Sequence, residues 1–342
     1  MREPGAMRIF VAGGTGAVGR YLVPKLVHAG HDVVALARSS DKGRVLDRAG
    51  ARPVVADAFD REALRRAIVD AEPEVVIHQL TALSRPIDFK TFDDDFALTN
   101  RLRTETLDTM LDAAREVGAR RFIAQSFCGW PFARSGGPMK TERDPLDPDP
   151  PPTFRDTLEA IRHLESAVGG GAAGWGAGPP RGDPAAGPPR GDPAARPQGI
   201  ALRYGFLYGP GTAIASDGEI TRMVRKRRLP IVGKGTGIWS FVHVEDAAAV
   251  TVAAALRGEP GIYNVVDDEP AAVSEWLPHL AEVVGARRPI RVPAWLGRLA
   301  IGESGVSMMT RVRGGSNAKA KEAFGWTLAY SSWRQGFADG LA

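Results

Sequence analysis

Met7-Arg8-Ile9-Phe10-Val11-Ala12-Gly13-Gly14-Thr15-Gly16-Ala17-Val18-Gly19-Arg20-Tyr21-Leu22-Val23 decides how the rest of the chain is read. The apolar run from Met7 to Ala12 predicts a fully buried strand, and Tyr21–Ala29 an apolar-periodic helix closed by Gly30. Between them Gly13, Gly16 and Gly19 are spaced for three separate jobs: a tight turn, close backbone approach to a pyrophosphate, and close packing of helix on strand. Thr15, Ala17 and Val18 complete the loop, and the following helix start offers unpaired N–H groups to phosphate oxygens. A second strand, Asp32–Ala37, follows at the distance a dinucleotide-binding unit requires.

The residues after that second strand bear on which dinucleotide is bound. A carboxylate there would accept from a ribose 2′-hydroxyl, whereas an arginine accommodates a 2′-phosphate. Arg38 holds the position, with Ser39 and Lys42 as further donors, so NADP is favoured over NAD. A third strand, Arg52–Ala56, leads to Asp57 and Ala58, where the carboxylate could accept the adenine amino group or simply initiate a turn. Helix Asp60–Ala71 and strand Glu74–Leu80 come next, the latter running into a cofactor-facing loop at Leu80, Thr81 and Ala82. His78, inside that strand, reads as a core histidine. Phe96–Val117 is a long helix carrying Asn100, and Arg121–Gln125 a fifth strand. Strands alternating with helices imply an α/β fold with a doubly wound parallel sheet, ligands lying beyond the carboxyl ends of its strands.

Composition bounds the rest. The 342 residues are 44% hydrophobic and 25% charged, as in a globular protein, and the net charge of +4 is too small for a nucleic-acid footprint. A single cysteine, Cys128, forms no internal disulfide and fits a reducing, cytoplasmic setting. No apolar run is long enough to cross a membrane. Met1–Ala6 lacks the apolar core of a signal peptide, and the six histidines never pair at metal-ligand spacing.

These motifs together resemble the extended short-chain dehydrogenase/reductases of the NAD(P)-dependent epimerase/dehydratase type. Ala12–Gly19 matches that family's glycine signature, and Asp57, Asn100 and Ser126 fall at its adenine aspartate, helix asparagine and catalytic serine. Leu202-Arg203-Tyr204-Gly205-Phe206-Leu207-Tyr208-Gly209-Pro210, Phe241–Asp246 and Tyr263-Asn264-Val265 match later segments. The resemblance implies a Rossmann core over 7–168 and a smaller C-terminal α/β substrate portion within 199–342. Between them 169–198 reads as a disordered insertion, holding a duplicated Gly-Pro-Pro-Arg-Gly-Asp-Pro-Ala-Ala. It also implies a small-molecule substrate, with a homodimer allowed for.

One departure stands out. The family's acid/base pair is Tyr-x-x-x-Lys on the helix after the serine strand, where the lysine lowers the tyrosine pKa. Here that helix is Asp156–Val168; with Glu165 aligned to the family's glutamate, Thr157 and Ile161 stand at the tyrosine and lysine positions. Replacement proton donors are sought in Ser126, Tyr204, Tyr208 and Lys140, each with a bland alternative as core or solvated residue. The resulting expectation is an NADP(H)-dependent oxidoreductase or epimerase with a non-standard proton donor. The competing reading is a catalytically silent NADP(H)-binding sensor.

Overall fold

The computed structural model describes residues 5–83, 87–169 and 197–341. The expected disordered insertion therefore lies, for 170–196, outside the described residues. Seven parallel strands form the central sheet: β1 (Arg8–Ala12), β2 (Asp32–Ala37), β3 (Arg52–Val55), β4 (Val75–His78), β5 (Arg121–Phe127), β7 (Gln198–Tyr204) and β12 (Gly261–Val265). Their spatial order is β12-β7-β5-β4-β1-β2-β3, so the chain winds outward in one direction, returns to β4 and winds out in the other. Two-residue β6 (Met139–Lys140) lies in the loop after β5.

Both faces are covered, as parallel sheets require. On one face lie α1 (Gly19–His28) and α2 (Ser40–Arg48). α3 (Arg61–Ala71) lies on the other. α4 (Phe92–Arg101) passes through a π turn, Leu102–Thr106, into α5 (Leu107–Glu116). The long helix thus begins four residues before the expected Phe96, its first turn favoured by Asp93, Asp94 and Asp95 against the positive helix end. α6 (Arg155–Gly169) lies beside α5 on the α3 face.

The C-terminal portion surrounds an aromatic core at the carboxyl end of the sheet. It comprises β8 (Phe206–Tyr208), α7 (Glu219–Arg225), β9 (Ile231–Val232), β10 (Ile238–Trp239), β11 (Phe241–His243) and α8 (Val244–Leu256). After β12 come β13 (Ala271–Ala272), α9 (Val273–Val283), β14 (Arg291–Val292), α10 (Ala294–Thr310), β15 (Gly314–Gly315), α11 (Ala318–Phe324) and α12 (Trp333–Leu341). α8 returns to the sheet on the α1 face.

α7 ends at Arg225, and Arg227 takes a left-handed φ of 56°. The apolar stretch Trp295–Ile301 belongs to α10 yet exposes Trp295 (63%) and Leu299 (69%). Among the described residues no helix is long and apolar enough to cross a membrane, and no cluster of His, Cys, Asp or Glu could hold a metal ion.

Candidate active site at the carboxyl ends of the strands

The glycine loop follows from packing on its underside. Gly13 has φ 98°, and a Cβ built there would lie 2.4 Å from the Gln79 carbonyl oxygen. A Cβ on Gly19 would lie 2.2 Å from the Gly13 carbonyl oxygen, so helix and strand touch through bare backbone. Gly16 is exposed, its N–H bonded to the Gly13 carbonyl at 3.0 Å. α1 starts with no side-chain cap and no acidic residue in its first turn. An uncapped, positively polarised helix start above a closed glycine turn fits a pyrophosphate.

Around this cradle the expected binding residues are placed unevenly. Arg38 is exposed beyond the end of β2. Ser39 caps α2, its Oγ accepting from the Lys42 N–H at 3.4 Å, which sets Arg38, Ser39 and Lys42 in one turn. Asp57 forms a turn in which Oδ1 accepts from the Phe59 N–H at 2.9 Å. The Ala58 carbonyl accepts from the Thr106 hydroxyl at 3.1 Å. Leu80 packs toward the α3–α5 layer, Thr81 is exposed, and the Ala82 N–H donates to Thr99 Oγ1 at 3.0 Å. Asn100 Nδ2 donates to Thr157 Oγ1 at 3.0 Å, tying α4 to α6, while its Oδ1 is buried without a partner.

The four candidate proton donors are all buried. Ser126 is 1% exposed and donates to Glu165 Oε1 at 2.7 Å. Arg203, its register partner on β7, grips the same carboxylate through Nε and Nη2, both at 2.6 Å. Tyr204 points to the opposite face, where its hydroxyl accepts from Gln79 Nε2 at 2.8 Å and meets Thr251 Oγ1 of α8 at 2.5 Å. Burial pushes that phenol up to about 12. Tyr208 is buried edge-on to His243 and Phe337, and burial likewise raises its pKa. Lys140 is buried as well; its Nζ donates to the Ser135 carbonyl at 2.8 Å and pairs with Asp144 at 3.3 Å, pinning its own loop. Each of the four is buried: Ser126, Tyr204 and Lys140 have hydrogen-bond partners within the protein, and Tyr208 lies in the aromatic core.

Thr157 and Ile161, on α6, are buried as well. The Thr157 hydroxyl donates to Asp93 Oδ1 at 2.6 Å, and the Asp156 and Thr157 N–H groups donate to the same carboxylate. Asp93 thereby satisfies the start of α6 from α4. Ile161 is fully buried in the aromatic core. His78 stays neutral: its Nε2 lies 2.9 Å from the Leu102 carbonyl, and burial lowers its pKa to about 4.

What the sequence reading missed is an aromatic wall. Side chains alternate along a strand, so with Ser126 turned to α6 the next residue, Phe127, faces the other way. Phe127 is half-buried and meets Phe206 edge-to-face at 5.1 Å, and Phe206 stacks on Trp239 at 3.8 Å. Trp239 is anchored by its Nε1 donating to the Met308 carbonyl at 3.0 Å. Gly129, with φ 125°, carries the backbone past both phenyl rings. The period-two alternation through Gln125-Ser126-Phe127 was the available signal.

Comparison with known proteins now bears on the cradle. A profile for NAD(P)H-binding proteins matches residues 13–167, and one for the NAD dependent epimerase/dehydratase family matches 194–265. A 3-diazoavenalumate denitrifying reductase from Streptomyces sp is 40% identical over 96% of this chain and 99% of its own. The chain belongs to the NAD(P)-dependent epimerase/dehydratase family. As a member it is an NAD(P)-dependent oxidoreductase/epimerase-like enzyme that uses a nicotinamide cofactor. A second relative in the family's range, a 4-hydroxy-2-methyl-3-oxo-4-farnesyl-3,4-dihydroquinoline-1-oxide ketoreductase from Stigmatella aurantiaca, is 27% identical over 87% of this chain and 80% of its own. The fold is shared with the UDP-glucose 4-epimerase of Thermotoga maritima, solved with UDP-glucose, at a TM-score of 0.71 and 21% identity over 98% of this chain and 97% of that one.

Proposed function

We propose that this protein is an NADPH-dependent reductase that delivers hydride to a flat, strongly electrophilic aromatic substrate of the diazo class and requires no proton from the protein. The observation that carries the reading is the closure of Ser126, Thr157, Tyr204, Tyr208 and Lys140 beside an intact glycine cradle. A carbonyl reduction needs a proton on oxygen, and a positioned donor typically contributes about 10²–10⁴-fold. Replacement of a diazonium group by hydride does not. The carbon–nitrogen bond breaks, dinitrogen leaves, a carbon–hydrogen bond forms, and net proton uptake is zero.

The relative named for denitrifying reduction of a diazo compound supports this class of substrate. So do the half-buried rings of Phe127 and Phe206, backed by buried Trp239, since offset and edge-on ring contacts favour an aromatic guest. Gly13, Gly14, Thr15, Gly16, Ala17, Val18 and Gly19 would hold the pyrophosphate, and Arg38, Ser39 and Lys42 the 2′-phosphate. A reduced nicotinamide bound there would supply the hydride. The protein's part is to orient the two rings and keep water away from the electrophile.

The test uses NADPH deuterated at C4 with a simple aryl diazonium salt. Enzyme-dependent release of dinitrogen, with deuterium at the former diazo carbon, is the expected outcome. Tight NADPH binding with no turnover of diazonium, ketone or quinone would instead favour the silent sensor.

A further inference from the structure

Arg103 is an arginine at a core position. The inward stripe of the long helix runs Phe92, Phe96, Thr99, then Leu102, Arg103 and Thr106, so an otherwise apolar or small face carries a guanidinium. Arg103 is 4% exposed, and its Nη1 is buried with no hydrogen-bond partner. Among the described residues it forms no ion pair. The negative charge it feels belongs to Glu165, whose oxygens are already taken by Arg203 and Ser126. Burial lowers its pKa to about 10, which leaves it charged at neutral pH. A buried cation without an ion-pair partner is costly, and such side chains persist where something else completes them.

Its direction indicates where that partner would come from. Helical side chains lean toward the N-terminus of their own helix. The Arg103 guanidinium carbon lies 5.9 Å from the centre of the Phe96 ring, about two turns earlier in the helix, so the group extends that way. α4 starts beyond the carboxyl end of β4, the edge at which the glycine loop opens. The Asn100–Thr157 hydrogen bond sets α4 against the first turn of α6 at that edge. The π turn Leu102–Thr106 carries Arg103, and such widened turns recur at functional sites.

We propose that Arg103 is a ligand-binding residue whose guanidinium takes an oxygen acceptor of a bound molecule between α4 and α6. Two sources offer that chemistry: a ribose hydroxyl of the dinucleotide, or an anionic oxygen of the second substrate. The inference goes beyond the proposed activity, because it concerns binding and holds whether or not hydride is transferred.

The test compares Arg103→Met and Arg103→Lys with the wild-type full chain. Thermal unfolding is measured without ligand. Dissociation constants are then measured for NADPH, and for 4-hydroxybenzoate in the presence of NADP. Arg103→Met should unfold at the wild-type temperature or above, since a buried unpaired charge has gone. It should also bind one probe at least tenfold more weakly. Loss with NADPH identifies the ribose; loss confined to 4-hydroxybenzoate identifies the substrate oxygen. Arg103→Lys should keep the fold and lose about threefold or more on the same probe. A melting temperature several degrees lower in Arg103→Met would make the guanidinium a structural partner of Glu165 and overturn the proposal. Wild-type affinity for both probes in either folded variant would overturn it as well.

Discussion

The ends of β1 and β5 lie on the same edge of one sheet, with only β4 between them, yet they treat polar groups in opposite ways. At β1 the chain removes side chains and leaves backbone donors uncapped above Gly16 and at the start of α1. At β5 polar side chains engage one another: Ser126 with Glu165, Glu165 with Arg203, Thr157 with Asp93 and Asn100. The first arrangement waits for an anion. The second is a side-chain network in which only Arg203 Nη1 and Asn100 Oδ1 stay buried without a partner, and it stands where proton transfer was expected.

The largest effect that would sharpen this contrast is at the open end. Gly13→Val should reduce NADPH affinity by more than about a hundredfold in a fluorescence titration. A Cβ there meets the Gln79 carbonyl oxygen at 2.4 Å, and φ 98° disfavours a branched residue. Unchanged affinity would break the account of the cradle. At the closed end Arg203→Met should lower unfolding free energy in urea by about 3–5 kcal/mol, because Glu165 would stay buried without its bidentate partner. A change below about 1 kcal/mol would mean the network is not structural.

Arg38→Asp comes next. NADPH should bind about tenfold to a hundredfold more weakly while NADH changes little, through loss of a charge-assisted contact. Equal losses would place Arg38 outside the cofactor site. The smallest effect should be Thr157→Ala, whose turnover of a confirmed substrate should stay within about threefold of wild type. Its hydroxyl is buried and engaged by Asp93 and Asn100. A fall of 10²-fold or more would return proton donation to α6.

The fold was legible because its signals are local. Dense β-branched residues in Val75-Val76-Ile77, the glycine spacing and the alternation with amphipathic helices each follow from a short stretch. The cradle was legible for the same reason, since glycine reports backbone need directly. The rest of the site depended on partners distant in sequence. Tyr204 is held by Gln79 and Thr251, 125 and 47 residues away, and nothing near Tyr204 announces either contact. Lys140 was sought as a proton donor, with a solvated lysine as the alternative, but the turn through Asp144 folds it inward. Arg103 was overlooked because an arginine on a helix reads as surface unless the apolar stripe is traced through it.

The pH dependence of hydride transfer tests the central claim most directly. Single-turnover rates with NADPH and an aryl diazonium should be flat from about pH 5.5 to 7.5, because no protein group donates or accepts a proton in the step. A rate changing close to tenfold per pH unit, abolished by Ser126→Ala or Thr157→Ala, would show that a protein acid acts after all and would contradict the account.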